Sequence, residues 1–366
     1  MKRVLFLSRS LGAGGAEKRM VTVAHLLKER GYEVELMCYD KSNFFGDTLR
    51  KSGIMVSWLN NGGFISKLFQ IRRIMRGGKF DVTISFLPTL NIINCLSSFG
   101  LKNNVILGES SSSSAFEHFM GWKYVLRGYI EDYLAWMLAD VIVSNSDNAS
   151  RLRIERSQWL AKKMRTIHNP VSLNTSDSEY VCRKDGKLHV VIAASIQAIK
   201  NPMSVIRGIS EMNPELSNKL RLDWYGNIIE QELYEKFLNE IEINGLKNIV
   251  TYHQPTNKIG DIMCHADIVA LFSVAEGLPN AICEGMMLGK PIIMTRISDY
   301  TKMVDEENGF LCESDDVKSI SRAFETAVGT SSESLLLMGQ KSKEKAQVMF
   351  SPEKIGDEWM DLINSL

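Results

Sequence analysis

The hydrophobic positions along this chain form short apolar runs rich in β-branched residues, separated by longer segments with a helical period. Such alternation is typical of parallel sheets built from βαβ units. In the first half it predicts strands at Val4–Ser8, Val34–Tyr39, Val56–Leu59, Val82–Phe86, Val105–Leu107 and Val141–Ser144. In the second half it predicts strands at Val190–Ala194, Leu220–Tyr225, Ile249–Tyr252, Ile268–Phe272, Pro291–Thr295 and Phe310–Cys312.

Two domains follow from the length of 366 residues, because a single core stops growing at about 250–300 residues. The strand rhythm pauses after Val171 and restarts at Leu188. The last segment has a helix-start signal at Ser351-Pro352-Glu353 and an apolar face that includes Trp359, which must pack somewhere. We therefore predict a first domain of residues 1–172 completed by a returning helix at 352–366, and a second domain of residues 173–351.

Composition narrows the functional classes. The formal net charge is zero, which makes nucleic acid an unexpected partner. The apolar run near Met1 is too short for a signal peptide, and no stretch is long enough to span a bilayer. The six cysteines are scattered without a C-x-x-C pair, which favours reduced thiols over disulfides or zinc. These features together predict a cytoplasmic protein.

The most informative stretch runs from Ser273 to Pro291, where a buried strand is followed by a loop and a helix. Backbone N–H groups of Asn280, Ala281 and Ile282 would lie at the helix N-terminus, which suits a diphosphate. Glu276 before the helix and Glu284 within it could accept hydrogen bonds from sugar and ribose hydroxyls. The alternative is a capped core helix with two solvated acids, which either glutamate alone would favour.

This stretch resembles the signature of the retaining family-four glycosyltransferases of the GT-B fold. The two glutamates form Glu-x7-Glu, with Gly-Leu-Pro after the first and Gly-x-Pro after the second. Further motifs of that family occur in the same order over nearly the whole chain. They are the glycine loop at Leu11–Glu17, Asp140–Ser146, Asn169-Pro170-Val171, Ile199–Pro202, Ala266-Asp267 and Asn308–Leu311.

The resemblance implies an α/β protein with two Rossmann-like parallel-sheet domains facing each other across a cleft. It implies a hexosyltransferase that moves a sugar with retention from a nucleotide donor, most simply a UDP-sugar. The implied acceptor is a glycan or a polyprenyl-linked glycan, used for capsule, O-antigen or exopolysaccharide at the inner face of the plasma membrane. Peripheral contact with that membrane would follow.

The resemblance also implies roles for single residues. Glu284 would bind the donor ribose, Glu276 the sugar hydroxyls, and Lys200 the leaving diphosphate, while Gly14 and Gly15 would lie near the donor phosphates. The sequence contains no Asp-x-Asp metal motif, so we expect neither a metal nor another cofactor. A nicotinamide enzyme is disfavoured, because Glu17 occupies the place of the third glycine of its fingerprint.

Two departures from the family pattern concern the charges around the donor. Ser195 stands where the family usually has an arginine, so another cation, such as Arg9 or Arg296, would have to replace it. Ser110 stands where many members have a histidine, so Ser110 or Glu109 would hold the sugar instead. A non-catalytic nucleotide-sugar-binding subunit and a nucleotide-sugar 2-epimerase are therefore alternative functions.

Two segments suggest how an acceptor is reached. The segment from Phe64 to Lys79 combines apolar residues with Lys67, Arg72, Arg73 and Arg76, which suits either an interfacial helix on anionic lipid or a core helix with a solvated face. The aromatic segment from Phe116 to Leu138 could shape an acceptor groove or belong to the domain core.

Overall fold

The computed structural model describes residues 1–12, 14–60, 62–109, 122–172 and 186–366, with side chains of the helix at 122–138 described from residue 130 onward. The chain divides into two compact units. Unit 1 consists of Met1–Pro170 with Pro352–Leu366, and unit 2 of Val171–Ser351.

Unit 1 contains a sheet of seven parallel strands in the order β3-β2-β1-β4-β5-β6-β7. Six of them match predicted strands within two residues at each end. The sequence pattern missed the seventh because it has three residues, of which only Met164 is buried. The strands are β1 (Arg3–Ser8), β2 (Glu33–Cys38), β3 (Met55–Trp58), β4 (Val82–Phe86), β5 (Asn104–Glu109), β6 (Val141–Ser144) and β7 (Met164–Thr166).

Helices connect these strands, and a 3-10 turn at Gln158–Lys162 precedes β7. The α helices are α1 (Gly15–Glu29), α2 (Gly46–Lys51), α3 (Phe64–Gly78), α4 (Pro88–Ser98), α5 (Trp122–Leu138) and α6 (Asp147–Arg156). Helix α4 packs against both α3 and α5, so these three helices form one layer.

Unit 2 contains six parallel strands in the order β10-β9-β8-β11-β12-β13, all at predicted positions. The strands are β8 (Leu188–Ala193), β9 (Leu220–Tyr225), β10 (Val250–His253), β11 (Ile268–Leu271), β12 (Ile292–Thr295) and β13 (Gly309–Cys312). The helices are α7 (Pro202–Ser210), α8 (Pro214–Ser217), α9 (Gln231–Ile243), α10 (Ile259–Cys264), α11 (Asn280–Met287), α12 (Tyr300–Met303), α13 (Val317–Gly329) and α14 (Ser332–Phe350).

Both sheets reverse their strand order at one place. In unit 1 the reversal lies between β1 and β4, and in unit 2 between β8 and β11. Ligands of open parallel sheets bind outside the carboxyl ends of the strands at such a switch point. The loops that follow these four strands are therefore where chemistry is expected.

The final helix, α15 (Pro352–Asn364), belongs to unit 1 and confirms the predicted return to the first domain. Its residues Ile355 and Trp359 are fully buried in the unit 1 core, where Trp359 meets Phe86 edge-on at 6.3 Å between ring centroids. At the rim, Arg30 Nε donates to Asp357 Oδ1 at 2.9 Å. A single amphipathic helix thus covers one side of the unit 1 core.

Candidate active site

The loops at the switch point of unit 2 bring Lys200 and Glu276 together. Lys200 ends the 3-10 turn Ala198–Lys200 after β8, and Glu276 lies in the loop between β11 and α11. Because β8 and β11 are parallel neighbours, these loops leave the same edge of the sheet. Lys200 Nζ donates to Glu276 Oε1, and the two side chains are only 19% and 13% exposed. A cation and a carboxylate therefore meet at the place where a ligand is expected.

Hydroxyl groups that the sequence did not point to hold this loop in place. Ser273 Oγ donates to the same Glu276 Oε1 at 2.8 Å, while Thr295 Oγ1 donates to the Ser273 carbonyl at 2.6 Å. Ser298 Oγ donates to the Gly277 carbonyl. The Ser273 bond lies within one loop, whereas the Thr295 and Ser298 bonds link this loop to the end of β12 and the segment after it, a juxtaposition that no local motif announces. They fix the orientation of the Glu276 carboxylate.

The start of α11 presents the two remaining parts of the predicted donor site. Asn280 is exposed, Ala281 is half-buried and Ile282 is buried, with the Ile282 amide donating to the Pro279 carbonyl at 3.0 Å. Ile282 therefore contributes packing, while the positive end of the helix dipole is carried by the residues before it. Glu284 is half-buried, one turn after Asn280 and so on the same helix face.

Ser195, which stands where the family usually has an arginine, makes a contact with a neutral side chain. Ser195 is half-buried, and its Oγ accepts a hydrogen bond from Gln197 Nε2 at 2.9 Å. Arg296, one of the two replacement cations considered, pairs with Glu313 Oε1 at 2.9 Å. The other, Arg9, belongs to unit 1 and lies 3.7 Å from Asp40 Oδ2. Lys200 is thus the cation that directly contacts the signature loop through Glu276.

Within the same sheet, a buried aspartate of β9 links the neighbouring strands β8 and β10. Asp223 Oδ2 lies 2.6 Å from His189 Nε2, and its Oδ1 lies 2.9 Å from His253 Nε2. Burial alone would raise the pKa of Asp223, but these hydrogen bonds and the charge of Arg221 hold it well below its ordinary value. His253 also stacks on Tyr225 at 4.4 Å. The cluster ties β8, β9 and β10 together and was not predicted.

In unit 1, the predicted glycines open helix α1 at the other switch point. Gly14 is the N-cap residue and Gly15 the first helical residue, and both are exposed. A Cβ atom at Gly14 would collide with the carboxylate of Glu17, which folds back over it. A side chain at Gly14 would need the flexible Glu17 carboxylate to move aside, and the place of Gly14 and Gly15 near the donor phosphates stays a prediction.

Glu109 is buried within unit 1, where both its side chain and its carbonyl oxygen have partners. Its Oε1 accepts from Trp136 Nε1 at 2.9 Å, and its Oε2 pairs with Arg153. Its carbonyl oxygen accepts from Arg19 Nη1 at 2.9 Å, and the residue is 7% exposed. These contacts give Glu109 a structural role that a sugar would have to displace. Ser110, predicted alongside it, lies outside the described residues.

The pairing of the Glu276 carboxylate with Lys200 is relevant to whether this site binds a metal ion. It is an ammonium group rather than a second carboxylate, and Lys200 suits a negatively charged leaving group. Divalent cations that hold phosphates are usually bound through carboxylates. The expectation that transfer proceeds without a metal or cofactor stays a prediction.

Two units that each contain a parallel sheet with one reversal of strand order have the fold of the GT-B glycosyltransferases. Residues 13–175 match the family model described as Glycosyltransferase Family 4, and residues 187–329 match that described as Glycosyl transferases group 1. The chain belongs to this glycosyltransferase family, and the resemblance seen in the sequence is confirmed.

Individual relatives agree with that assignment. Over 99% of this chain and 98% of its own length, an α-1,4-N-acetyl-D-galactosaminyltransferase of Campylobacter jejuni is 22% identical; its named substrate is GalNAc-α-(1→4)-GalNAc-α-(1→3)-diNAcBac-PP-undecaprenol. A putative colanic acid biosynthesis glycosyltransferase of Escherichia coli, WcaL, is 24% identical over 59% of this chain and 50% of its own. The crystal structure of Anabaena HepE with UDP and glucose superposes with a TM-score of 0.83 at 18% identity, covering both chains completely.

Proposed function

We propose that this glycosyltransferase transfers a sugar, with retention of its anomeric configuration, from a UDP-sugar to a glycan or polyprenyl-linked glycan. The acceptor would serve the assembly of a bacterial surface glycan at the inner face of the plasma membrane. The observation that carries the proposal is the Lys200–Glu276 pair at the switch point of unit 2, beside the N-terminus of α11.

The chemistry of transfer fits this pair. As the bond between sugar and phosphate breaks, negative charge grows on the diphosphate, and preorganised cations and dipoles lower the barrier. Lys200 and the positive end of α11 would supply that stabilisation. When a donor binds, Lys200 would exchange Glu276 for phosphate oxygens, and the carboxylate would turn to hydroxyls of the sugar. Glu284 would take the ribose hydroxyls from the next turn.

The comparisons support the substrate classes. HepE, which shares the fold, was crystallised with UDP and glucose, and the Campylobacter relative acts on an undecaprenol-linked glycan. Transfer of these properties to the present chain is part of the proposal, as are the retaining stereochemistry and the independence of metal.

A binding panel of UDP- and GDP-sugars, measured by calorimetry, tests the donor site. Glu284→Ala is expected to abolish donor binding, whereas Glu232→Ala, which removes an exposed acid from α9, should leave affinity unchanged. Lys200→Met is expected to lower turnover by about a hundredfold or more, since one stabilising contact in the transition state contributes that much. Unchanged donor affinity in Glu284→Ala would contradict the site.

Product analysis separates the alternatives. Nuclear magnetic resonance of the product should show the anomeric configuration of the donor, and a chelator should leave the rate unchanged. Donor binding without product from any lipid-linked acceptor would favour the non-catalytic subunit. Release of an epimerised sugar would favour the 2-epimerase.

A further inference from the structure

We infer that α3 and the turn after α4 form a surface that binds an anionic lipid bilayer. It rests on the proposed function only for the reason to visit a membrane; the surface itself is argued from exposure and charge. We call it the basic-apolar face. It consists of Phe64, Ile65, Phe69, Arg73, Arg76, Lys79, Phe99 and Lys102, all of them exposed.

Helix α3 has two apolar faces, and core packing accounts for only one of them. Ile71 and Met75 are buried against the sheet and α4, in a cluster with β1 and β2 residues. On the outer side, Ile65 is 68% exposed and Phe69 70% exposed, although they lie one turn apart on the same side of the helix. Phe64 beside them is 48% exposed. The core-helix interpretation therefore leaves the outer face unexplained.

The cations of α3 divide in the same way. Arg72 Nη1 donates to the carbonyls of Ser97 and Phe99 at 2.9 and 2.6 Å, and Lys67 Nζ lies 4.1 Å from the centroid of the Tyr39 ring. Arg72 and Lys67 therefore make their contacts within unit 1. The expectation that they would lie on a lipid-facing side is wrong for these two residues. The Arg72 contact also holds the exposed Phe99 beside α3, which makes the surface continuous.

The remaining cations point to an anionic partner. Within the described parts of the chain, Arg73, Arg76 and Lys79 take part in no ion pair, and the sequence from Phe64 to Lys79 contains no acid. An exposed surface that contacts only water usually carries both positive and negative side chains. Cations next to exposed aromatic and aliphatic side chains are the combination that binds at the boundary of anionic headgroups and acyl chains.

A second copy of this chain fits the surface less well. In a symmetric dimer the same patch meets itself, so Arg73, Arg76 and Lys79 of one copy would approach those of the other. Like charges that are brought together in this way are repelled. No described helix has the length and apolar composition that a membrane crossing needs, so attachment through this face would be peripheral.

The test is cosedimentation of the full chain with phosphatidylcholine vesicles, with and without phosphatidylglycerol. We expect binding only with phosphatidylglycerol, weakening as salt rises. Each cation near an anionic surface is worth about a fivefold change in partitioning, so Arg73→Ala, Arg76→Ala and Lys79→Ala together should lower it about a hundredfold. A second variant, Ile65→Ser with Phe69→Ser, should also lower it.

The matched control removes three exposed cations from unit 2, Arg207, Lys219 and Lys236, by the same substitution to alanine, and should partition like the unaltered protein. Failure of the unaltered protein to bind phosphatidylglycerol vesicles, or equal binding by the Arg73/Arg76/Lys79 variant, would overturn the inference. The inference would also be overturned if the unaltered protein did not bind vesicles but formed a dimer, and if Ile65→Ser with Phe69→Ser abolished that dimer. Far-ultraviolet circular dichroism confirms that each variant is folded.

The vesicle measurement needs no sugar transfer, and the donor panel needs no lipid. A chain that binds vesicles but no nucleotide sugar contradicts the proposed function alone, while the reverse result contradicts the membrane surface alone.

Discussion

Ser298 shows how a single residue positions the signature loop. Its backbone has a left-handed φ of 54°, and its hydroxyl donates to the carbonyl of Gly277, next to Glu276. A left-handed conformation costs most residues about 1–2 kcal/mol, whereas glycine adopts it freely. No sequence pattern indicates this role, because it depends on two loops meeting in space.

Two substitutions at Ser298 separate strain from hydrogen bonding. Both Ser298→Ala and Ser298→Gly remove the bond to Gly277, but only the glycine relieves the backbone. We therefore expect Ser298→Ala to be less stable than Ser298→Gly by about 1 kcal/mol in urea unfolding. Equal stabilities would contradict the idea that the left-handed backbone is strained. Weaker donor binding by both variants would show that the hydroxyl positions the loop.

Asp132 makes the stability of unit 1 depend on pH. Burial and the negative charges of Glu109 and Glu131 raise the pKa of this carboxyl to about 7, although the positive charge of Arg153 acts to lower it. An unfolded aspartate titrates near pH ~4. Between these values the folded protein keeps a proton that the unfolded chain has released, so the free energy of unfolding falls as the pH rises through this window.

Asp132→Asn imitates the protonated form and should remove this dependence. In urea unfolding followed by circular dichroism, the stability of the variant minus that of the unaltered protein is expected to increase as the pH rises from about 4 to about 7. Asp47→Asn, in which an 81% exposed side chain is changed, is the control. Parallel stability profiles for the unaltered protein and Asp132→Asn would show that the carboxyl does not hold its proton.

At the scale of elements, Trp359 anchors α15 to the core of unit 1. This side chain is fully buried, while its indole N–H has no hydrogen-bond partner in the described residues. Trp359→Ala should therefore cost about 3–5 kcal/mol of unfolding free energy. Trp359→Phe should cost far less, because it keeps a large ring and removes an unsatisfied donor.

Urea unfolding and hydrogen exchange would measure these effects. Faster exchange in β1 and β4 is expected for Trp359→Ala, with little change in the strands of unit 2. Glu358→Ala, which breaks only a surface pair with Lys354 at 3.7 Å, is the control and should cost less than about 1 kcal/mol. A similar loss from both changes would contradict the anchoring role of the indole.

Elements differ in how well their sequence announced them. Most of the twelve predicted strands were found because strands buried on both faces are continuous apolar runs between turns, although β3 at the sheet edge has no buried residue. Strand β7 escaped because only Met164 among its residues is buried. The pattern of α3 was ambiguous for another reason: it contains both an inner and an outer apolar face, and periodicity does not tell which one meets solvent.

At the scale of the whole molecule, the order of the strands decides which distant residues become neighbours. Lys200 and Glu276 are 76 positions apart and meet because β8 and β11 are adjacent. Local patterns do not specify that adjacency, so the placement of both residues in one donor site followed from the family resemblance alone. The contacts of Glu109 with Arg153 and Trp136 were not predicted, because they join residues of β5, α6 and α5 that are distant in the sequence.

The membership of α15 in unit 1 has a consequence for synthesis. The ribosome releases all seven strands of the first sheet, then the whole of unit 2, and only afterwards the helix that closes the first core. The nascent chain must carry an open hydrophobic slot around Phe86 throughout that interval, while unit 2 can complete its fold. A premature stop codon within unit 2 would therefore leave unit 1, which is encoded upstream of it, without its last helix. Chaperones that hold nascent chains would be needed first at the uncovered core of unit 1.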